Sequence, residues 1–207
     1  KMKTAVFYEH ILEGAKQSGK SVAELMEKCA SWNIRGIEIG DALLRENKEE
    51  IKELLEKNHM QVSCSNAFYD FGHNPDAAQG KKQIDLAEEF GVSKVLIIPG
   101  ELSKNEAAAL NALSASKELT YSYMSENASL QNMAQALKEL VTYGKEKNIL
   151  VTLEDFDGPV QPFARMYQLL WFMENVPGLK FTLEGRRAPD HPHPSRSLRR
   201  RRRRAGV

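Results

Sequence analysis

Short strand-like segments alternate with amphipathic helices along most of this 207-residue chain. The strand-like segments begin near residues 4, 36, 61, 94, 149 and 179. This alternation predicts an α/β fold in which helical, right-handed crossovers join parallel strands. An open doubly wound sheet and a (β/α)8 barrel share the pattern. Neither GxGxxG nor a Walker A sequence follows any of the strands, which argues against a nucleotide-binding open sheet.

The segment ILVTLEDFDGP, residues 149–159, is the main candidate for a functional centre. Successive side chains of a strand point to opposite faces, so Leu150, Thr152 and Glu154 share one face. In a parallel barrel, the inner face would carry Glu154 to the carboxyl end of its strand, where such barrels place their chemistry. A plain strand followed by an acidic loop would look the same, because loops favour Asp and Gly.

Other segments supply the helices and strands around this centre. Ser21 and Glu24 form a capping-box pattern ahead of an apolar helical stripe. Further helices are predicted at about 76–90, from residue 130 to about 144, and over Phe163–Val176. The apolar run Lys94–Ile98 is typical of a strand that is buried on both faces. Residues 102–129 are only weakly periodic and predict an excursion with some helix.

Three more polar residues follow or lie within the predicted strands. Glu38 in GIEIG lies on the face opposite Ile37 and Ile39, so it is either an exposed strand residue or, in a barrel, an inward one. His73 belongs to the loop AFYDFGHNP after the third strand, and Glu101 comes directly after Pro99-Gly100.

Composition excludes several classes of protein. Hydrophobic residues make up 42% of the chain, enough for one sizeable core, and no run of 18 apolar residues or secretory signal is present. We therefore expect no membrane partner and a cytoplasmic location. Cys29 and Cys64 lack CxxC spacing and are predicted to be buried structural thiols.

The charges are distributed very unevenly. Residues 185–207 hold nine of the 29 basic residues and one of the 28 acidic residues, which leaves 20 basic and 27 acidic residues, a net charge of −7, in residues 1–184. The negative net charge of residues 1–184 argues against a specific nucleic-acid partner. The basic tail has no apolar period and is predicted to lack regular structure. It is either a basic arm for polyanions or, as we prefer, a non-native end.

Taken in order, several motifs resemble the xylose-isomerase-like barrel superfamily. They are GIEIG, FYDFGHNP, QIDLAEEFGVSKVLIIPGE, ALKELVTYGKEKNILVTLEDFDGP and GLKFTLE. The resemblance covers residues 1–184 and implies an α/β fold of the (β/α)8 TIM-barrel type. A complete barrel needs roughly 250 residues. The chain holds about six βα units, so we expect an incomplete barrel, truncated after the sixth strand, whose open sheet edges invite pairing into a homo-oligomer.

The resemblance also implies a divalent metal, which could be Mn, Mg, Zn or Co, at the carboxyl end of the barrel. Its ligands in the superfamily are a Glu closing the fifth strand, an Asp closing the sixth, a His near the seventh and a Glu on the eighth. Glu154 matches the first ligand, and Glu184 stands where the Asp is expected. The chain departs from the pattern after Glu184, and two ligands alone would bind a metal weakly.

The resemblance implies a metal-dependent isomerase or epimerase that acts on a small sugar or sugar phosphate. Glu154 would be a metal ligand and the catalytic base, Glu184 a second ligand, and His73, Glu38 and Glu101 substrate-binding groups. A second hypothesis is an endonuclease IV-like phosphodiesterase that acts on DNA. The few histidines and the acidic balance speak against it. A third is a non-catalytic barrel fragment.

Overall fold

The computed structural model of the chain describes residues 4–155 and 158–182. Within these ranges, six strands form one sheet: β1 (Ala5–Phe7), β2 (Gly36–Gly40), β3 (Gln61–Phe68), β4 (Lys94–Ile98), β5 (Leu150–Glu154) and β6 (Lys180–Thr182). All neighbouring strands are parallel, and their order in the sheet is their order in the sequence. Because β1 and β6 lie at opposite edges of the described sheet, the barrel is incomplete. The predicted fold class is confirmed.

Helices connect the strands. They are α1 (Tyr8–Ser18), α2 (Val22–Ser31), α3 (Asp41–Glu46), α4 (Lys48–Asn58), α5 (Ala78–Glu89), α6 (Lys104–Ala112), α7 (Lys117–Glu126), α8 (Ala128–Glu146) and α9 (Met166–Asn175). Ser21 caps α2 in the predicted capping box with Glu24. None of these helices in the described ranges is long and apolar enough to cross a membrane.

α1 begins directly after β1, and Gly19, with a φ of 68°, stops it after Ser18. One helical boundary differs from the sequence-based expectation. α9 begins at Met166 rather than near Phe163. The side-chain Oε1 of Gln168 accepts the backbone N–H groups of Ala164 and Arg165, and so caps the helix at this later point.

The sheet has one face covered by helices. On it, Nε2 of Gln83 in α5 donates to Oγ of Ser65 at 3.4 Å, and Ser65 is in register with Val95. Val95 is in register with Val151, which packs against Gly144 of α8. These side chains define the helix face. The alternate side chains, which we call the inner face, point toward the space that a closed barrel would enclose.

The inner face is partly open to solvent. Phe7 of β1 is 42% exposed and Leu150 of β5 is 51% exposed, whereas Ile37 and Ile39 on the helix face are fully buried. Six strands cover only part of the space that eight strands enclose. The inner face is therefore exposed at Phe7 and Leu150, whereas Cys64, Leu96 and Ile98 in its middle are buried. Glu184 and the predicted tail, residues 185–207, lie outside the described residues.

Candidate functional site

Glu154 is the last residue of β5 and lies on the inner face. Thr152, two residues earlier, is in register with Leu96, which alternates with the helix-face residue Val95. The Glu154 side chain is half-buried, and its backbone is in register with Thr182 of β6. Glu184 follows Thr182 by two residues but lies outside the described part of the chain. That the two carboxylates share a cavity stays a prediction.

Cys64 lies on the inner face between charged neighbours. Burial, with smaller contributions from the charges of Glu38 and Glu154, raises the pKa of its thiol to about 12, although the charge of Lys94 acts in the opposite direction. The residue is 4% exposed. A thiol with so high a pKa stays protonated and is a poor nucleophile. The predicted structural role of Cys64 fits this environment.

The loops after β3 and β4 continue side by side beyond the ends of the strands. The backbone N–H of Tyr69 donates to Ile98 O at 2.9 Å, and that of Phe71 donates to Pro99 O at 2.9 Å. These bonds bring Asp70 against Gly100, where an added Cβ would lie 3.5 Å from the Asp70 Cα. Gly100 has a φ of 139°, which favours glycine. Asp70 and Glu101 therefore both lie next to Gly100, Asp70 across the two loops and Glu101 along the chain.

His73 is paired with Asp70 in this loop. Its Nδ1 lies 2.7 Å from Asp70 Oδ1, and this hydrogen bond and the carboxylate charge raise the pKa of His73. Both side chains are exposed. Because Nδ1 is occupied, Nε2 is the ring nitrogen that can contact a substrate. The pair supplies a polar, proton-carrying group at the carboxyl end of β3.

Glu101 contacts a residue that the sequence interpretation missed. Gln161, in the loop after β5, donates from Nε2 to Glu101 Oε1 at 2.8 Å, and Leu102 N donates to Val160 O at 2.9 Å. Gln161 is 8% exposed. The only sequence signal for it is its place just after the VTLED strand end, since its partner is 60 residues away. The two bonds join the loops after β4 and β5.

We name five residues the carboxyl-end cluster because they follow or close three adjacent strands. They are Asp70, His73, Glu101, Glu154 and Gln161. Glu38 is not part of it. It lies in the middle of β2 and lines a cavity at the opposite, amino-terminal ends of the strands.

Of the three aromatic residues at the end of β3 and in the loop after it, Phe68 is exposed to solvent. Tyr69 and Phe71 stack with ring centroids 4.6 Å apart, Phe71 is buried, and the Tyr69 hydroxyl donates to Gln83. Both serve packing. Phe68 is 67% exposed and belongs by alternation to the inner face.

The described residues do not form a metal centre by themselves. Among them, no group of three His, Cys, Asp or Glu side chains converges in a way that could hold an ion. Of the two expected ligands, Glu154 alone lies within the described ranges. Divalent ions need several convergent ligands, and the described residues supply one of those that were expected.

A family model described as xylose isomerase-like TIM barrel matches residues 26–184. Solved structures share the fold. A sugar phosphate isomerase/epimerase from Parabacteroides distasonis has a TM-score of 0.58 at 14% identity, over 87% of this chain and 67% of that chain. A probable 3-DHS dehydratase, AsbF, from Bacillus anthracis has a TM-score of 0.60 at 17% identity, over 88% and 62%.

A D-psicose 3-epimerase from Clostridium cellulolyticum, solved with D-tagatose, has a TM-score of 0.56 at 14% identity, over 88% of this chain and 63% of that chain. At such identities these similarities show the fold alone. The chain spans about two thirds of the length of these structures or slightly less. Among curated protein sequences, none matches the chain significantly.

Proposed function

The chain belongs to the xylose isomerase-like TIM barrel family, and from this premise we propose that it is a sugar isomerase or epimerase with Glu154 as its proton-transferring group. One observation carries the proposal. Glu154 closes β5 on the inner face, half-buried, at the end of the barrel where such folds keep their chemistry. The names of the structural neighbours support a sugar or sugar phosphate as substrate.

The reaction class needs a group that can take a proton from carbon and return it. In an isomerisation or epimerisation, the carbon beside a carbonyl loses a proton and then regains it, on a neighbouring atom or on the opposite face. A half-buried carboxylate can act as such a base, because partial burial keeps it reachable and reduces competition from water. In this proposal Glu154 removes the proton and, in an isomerisation, delivers it to the neighbouring carbon, whereas an epimerisation would take the returning proton from a second acid on the opposite face of the sugar.

The rest of the carboxyl-end cluster would position the sugar. Glu101 can accept a hydrogen bond from a sugar hydroxyl while Gln161 holds it in place. His73 can donate from Nε2 to a carbonyl or phosphate oxygen while Asp70 holds Nδ1. Phe68 offers an exposed ring to the apolar face of a sugar. We assign Glu38 to the cavity at the other end of the sheet.

The divalent ion that the resemblance implies enters the proposal only as a cofactor to be tested. Glu154 and Glu184 are its proposed ligands, and the described residues supply the first of them alone. The steps above therefore use the protein's own side chains.

Proton exchange tests the proposal whichever sugar the reaction forms. The 207-residue chain is incubated in D2O with D-psicose, D-fructose, D-tagatose and their phosphates, with and without Mn²⁺, and deuterium uptake beside the carbonyl is followed by NMR. We expect uptake with at least one sugar and a loss of about 100-fold or more in Glu154→Gln. Glu53→Gln, an exposed change in α4, is the matched control.

Two outcomes would contradict the proposal in different ways. Exchange that persists in Glu154→Gln would remove Glu154 as the base. An absence of exchange with every sugar would instead favour the non-catalytic barrel fragment.

A further inference from the structure

A second polar cavity lies at the end of the sheet opposite the carboxyl-end cluster. It has a volume of about 360 Å³ and is lined at the amino-terminal ends of β1, β2, β3 and β4. This volume is at the lower end of the range for small-molecule sites. Active sites of such barrels lie at the carboxyl ends of the strands, so this cavity is separate from the proposed catalytic site.

The wall of the cavity is closely packed around Gly36. A Cβ added at Gly36 would lie 3.1 Å from the Ala5 Cβ and 3.2 Å from the Ser63 Cβ, closer than ordinary contacts. Glycine therefore lets β1, β2 and β3 approach one another at this point without a clash between side chains. Ser63 and Ser93 add hydroxyl groups to the lining.

Three charged side chains line the cavity without ion-pair partners among the described residues. They are Arg35, Glu38 and Lys94. Arg35 makes one weak contact, from Nη1 to Asn58 O at 3.5 Å.

The two cations and one carboxylate that line this polar cavity are complementary to a particular chemistry. Guanidinium and ammonium groups bind phosphate or carboxylate oxygens through charge-assisted hydrogen bonds, and a carboxylate accepts from hydroxyl groups. We infer that this cavity binds a small hydroxylated oxyanion, with Arg35 and Lys94 holding the anionic group and Glu38 accepting from a hydroxyl. The inference does not depend on the proposed isomerase or epimerase activity.

Amide NMR on the complete 207-residue chain tests the inference. The probes are inorganic phosphate, glycerol 3-phosphate, glycerate and uncharged glycerol. The backbone signals of Gly36, Gly91 and Ser93, which line the cavity, are followed during titration. We expect saturable shifts with the anions, stronger for those carrying hydroxyls, and none with glycerol. The comparison of glycerol 3-phosphate with glycerate separates phosphate from carboxylate recognition.

Substitutions of the cationic and of the acidic residues in the cavity should change the affinity for phosphate in opposite directions. Lys94→Gln and Arg35→Gln should each weaken phosphate binding by about tenfold or more. Glu38→Gln should strengthen it by about two- to fivefold, because a nearby negative charge is removed. Lys145→Gln, an exposed change in the last turn of α8, is the control for unspecific charge effects.

The arginine-rich residues 185–207 attract phosphate too, so the test depends on which residues show the NMR shifts. Shifts limited to those residues, or the same affinity in Lys94→Gln and Lys145→Gln, would overturn the inference. So would Glu38→Gln binding phosphate more weakly than the unaltered chain.

Discussion

Gln161 Nε2 donates a 2.8 Å hydrogen bond to Glu101 Oε1, and this bond joins the loops that follow β4 and β5. The Gln161→Glu variant keeps the shape and places two carboxylates together. We expect a loss of about 1–2 kcal/mol of folding free energy at pH 7, since like charges disfavour each other. One carboxyl then has a raised folded pKa, so the loss should vanish below about pH 4. Denaturant unfolding at several pH values measures both effects.

Gln135→Glu on the exposed side of α8 is the matched control and should change stability little at any pH. If Gln161→Glu behaves like Gln135→Glu, the hydrogen bond between the loops does not exist in solution.

The exposed pair of His73 and Asp70 predicts a pH dependence. Hydrogen bonding to Asp70 raises the pKa of His73 above its ordinary value of 6.5. The stability that the pair contributes is complete below pH 6.5 and is lost as the pH rises through the folded pKa of His73. Asp70→Asn should lower the His73 pKa in an NMR titration.

Asp76→Asn, in the same segment but bonded to the Ala78 amide, is the control and should leave the His73 titration unchanged. An Asp70→Asn variant with an unaltered His73 curve would show that the pair is not formed.

Close packing of α5 against α8 depends on Gly80. A Cβ at this position would lie 2.6 Å from Leu140 Cδ1, so either the buried Leu140 side chain or the helices must move. We expect Gly80→Ala to lower the unfolding free energy by about 1–3 kcal/mol, although alanine alone favours a helix by about 1 kcal/mol. Thermal unfolding measures the change.

Gly14→Ala in α1 is the matched control, because its Cβ would meet Leu25 Cδ1 at an ordinary 3.4 Å. It should be neutral or stabilising. Equal losses in the two variants would point to a backbone effect and not to contact with Leu140.

Metal binding should be weak in this chain. Because the described residues contain no group of three potential ligands, we expect a Kd for Mn²⁺ of about 0.1 mM or weaker by calorimetry. Glu154→Gln should reduce the remaining affinity further, and Glu53→Gln should not. Tight binding, or binding that is indifferent to the Glu154 change, would count against Glu154 as a ligand.

Local periodicity explains what the sequence could predict. Alternation within LVTLE places Glu154 on the inner face, and the same alternation separates Glu38 from Ile37 and Ile39. The continuous apolar run of β4 and the capping box of Ser21 are equally local. Each of these features depends on neighbours within a few residues, so the strands, the sheet type and the face of Glu154 follow from the sequence.

Contacts between loops could not be predicted in this way. Glu101 and Gln161 are 60 residues apart, and Asp70 meets Gly100 because two loops run together past the strand ends. The position of Glu38 along the barrel axis depends on strand register, including the irregularity between Ile37 and Glu38. These features arise from tertiary geometry, which no short pattern in the sequence encodes.

The strands follow one another in the sheet in the same order as in the sequence, and this has a consequence for folding during synthesis. Each described strand from β2 to β6 pairs with the strand that precedes it in the sequence, so its partner has already left the ribosome when it emerges. The sheet can therefore grow from its amino end during synthesis, one βα unit at a time. We expect arrested nascent chains that end after α5 to protect β2 and β3 from protease before β5 has been translated.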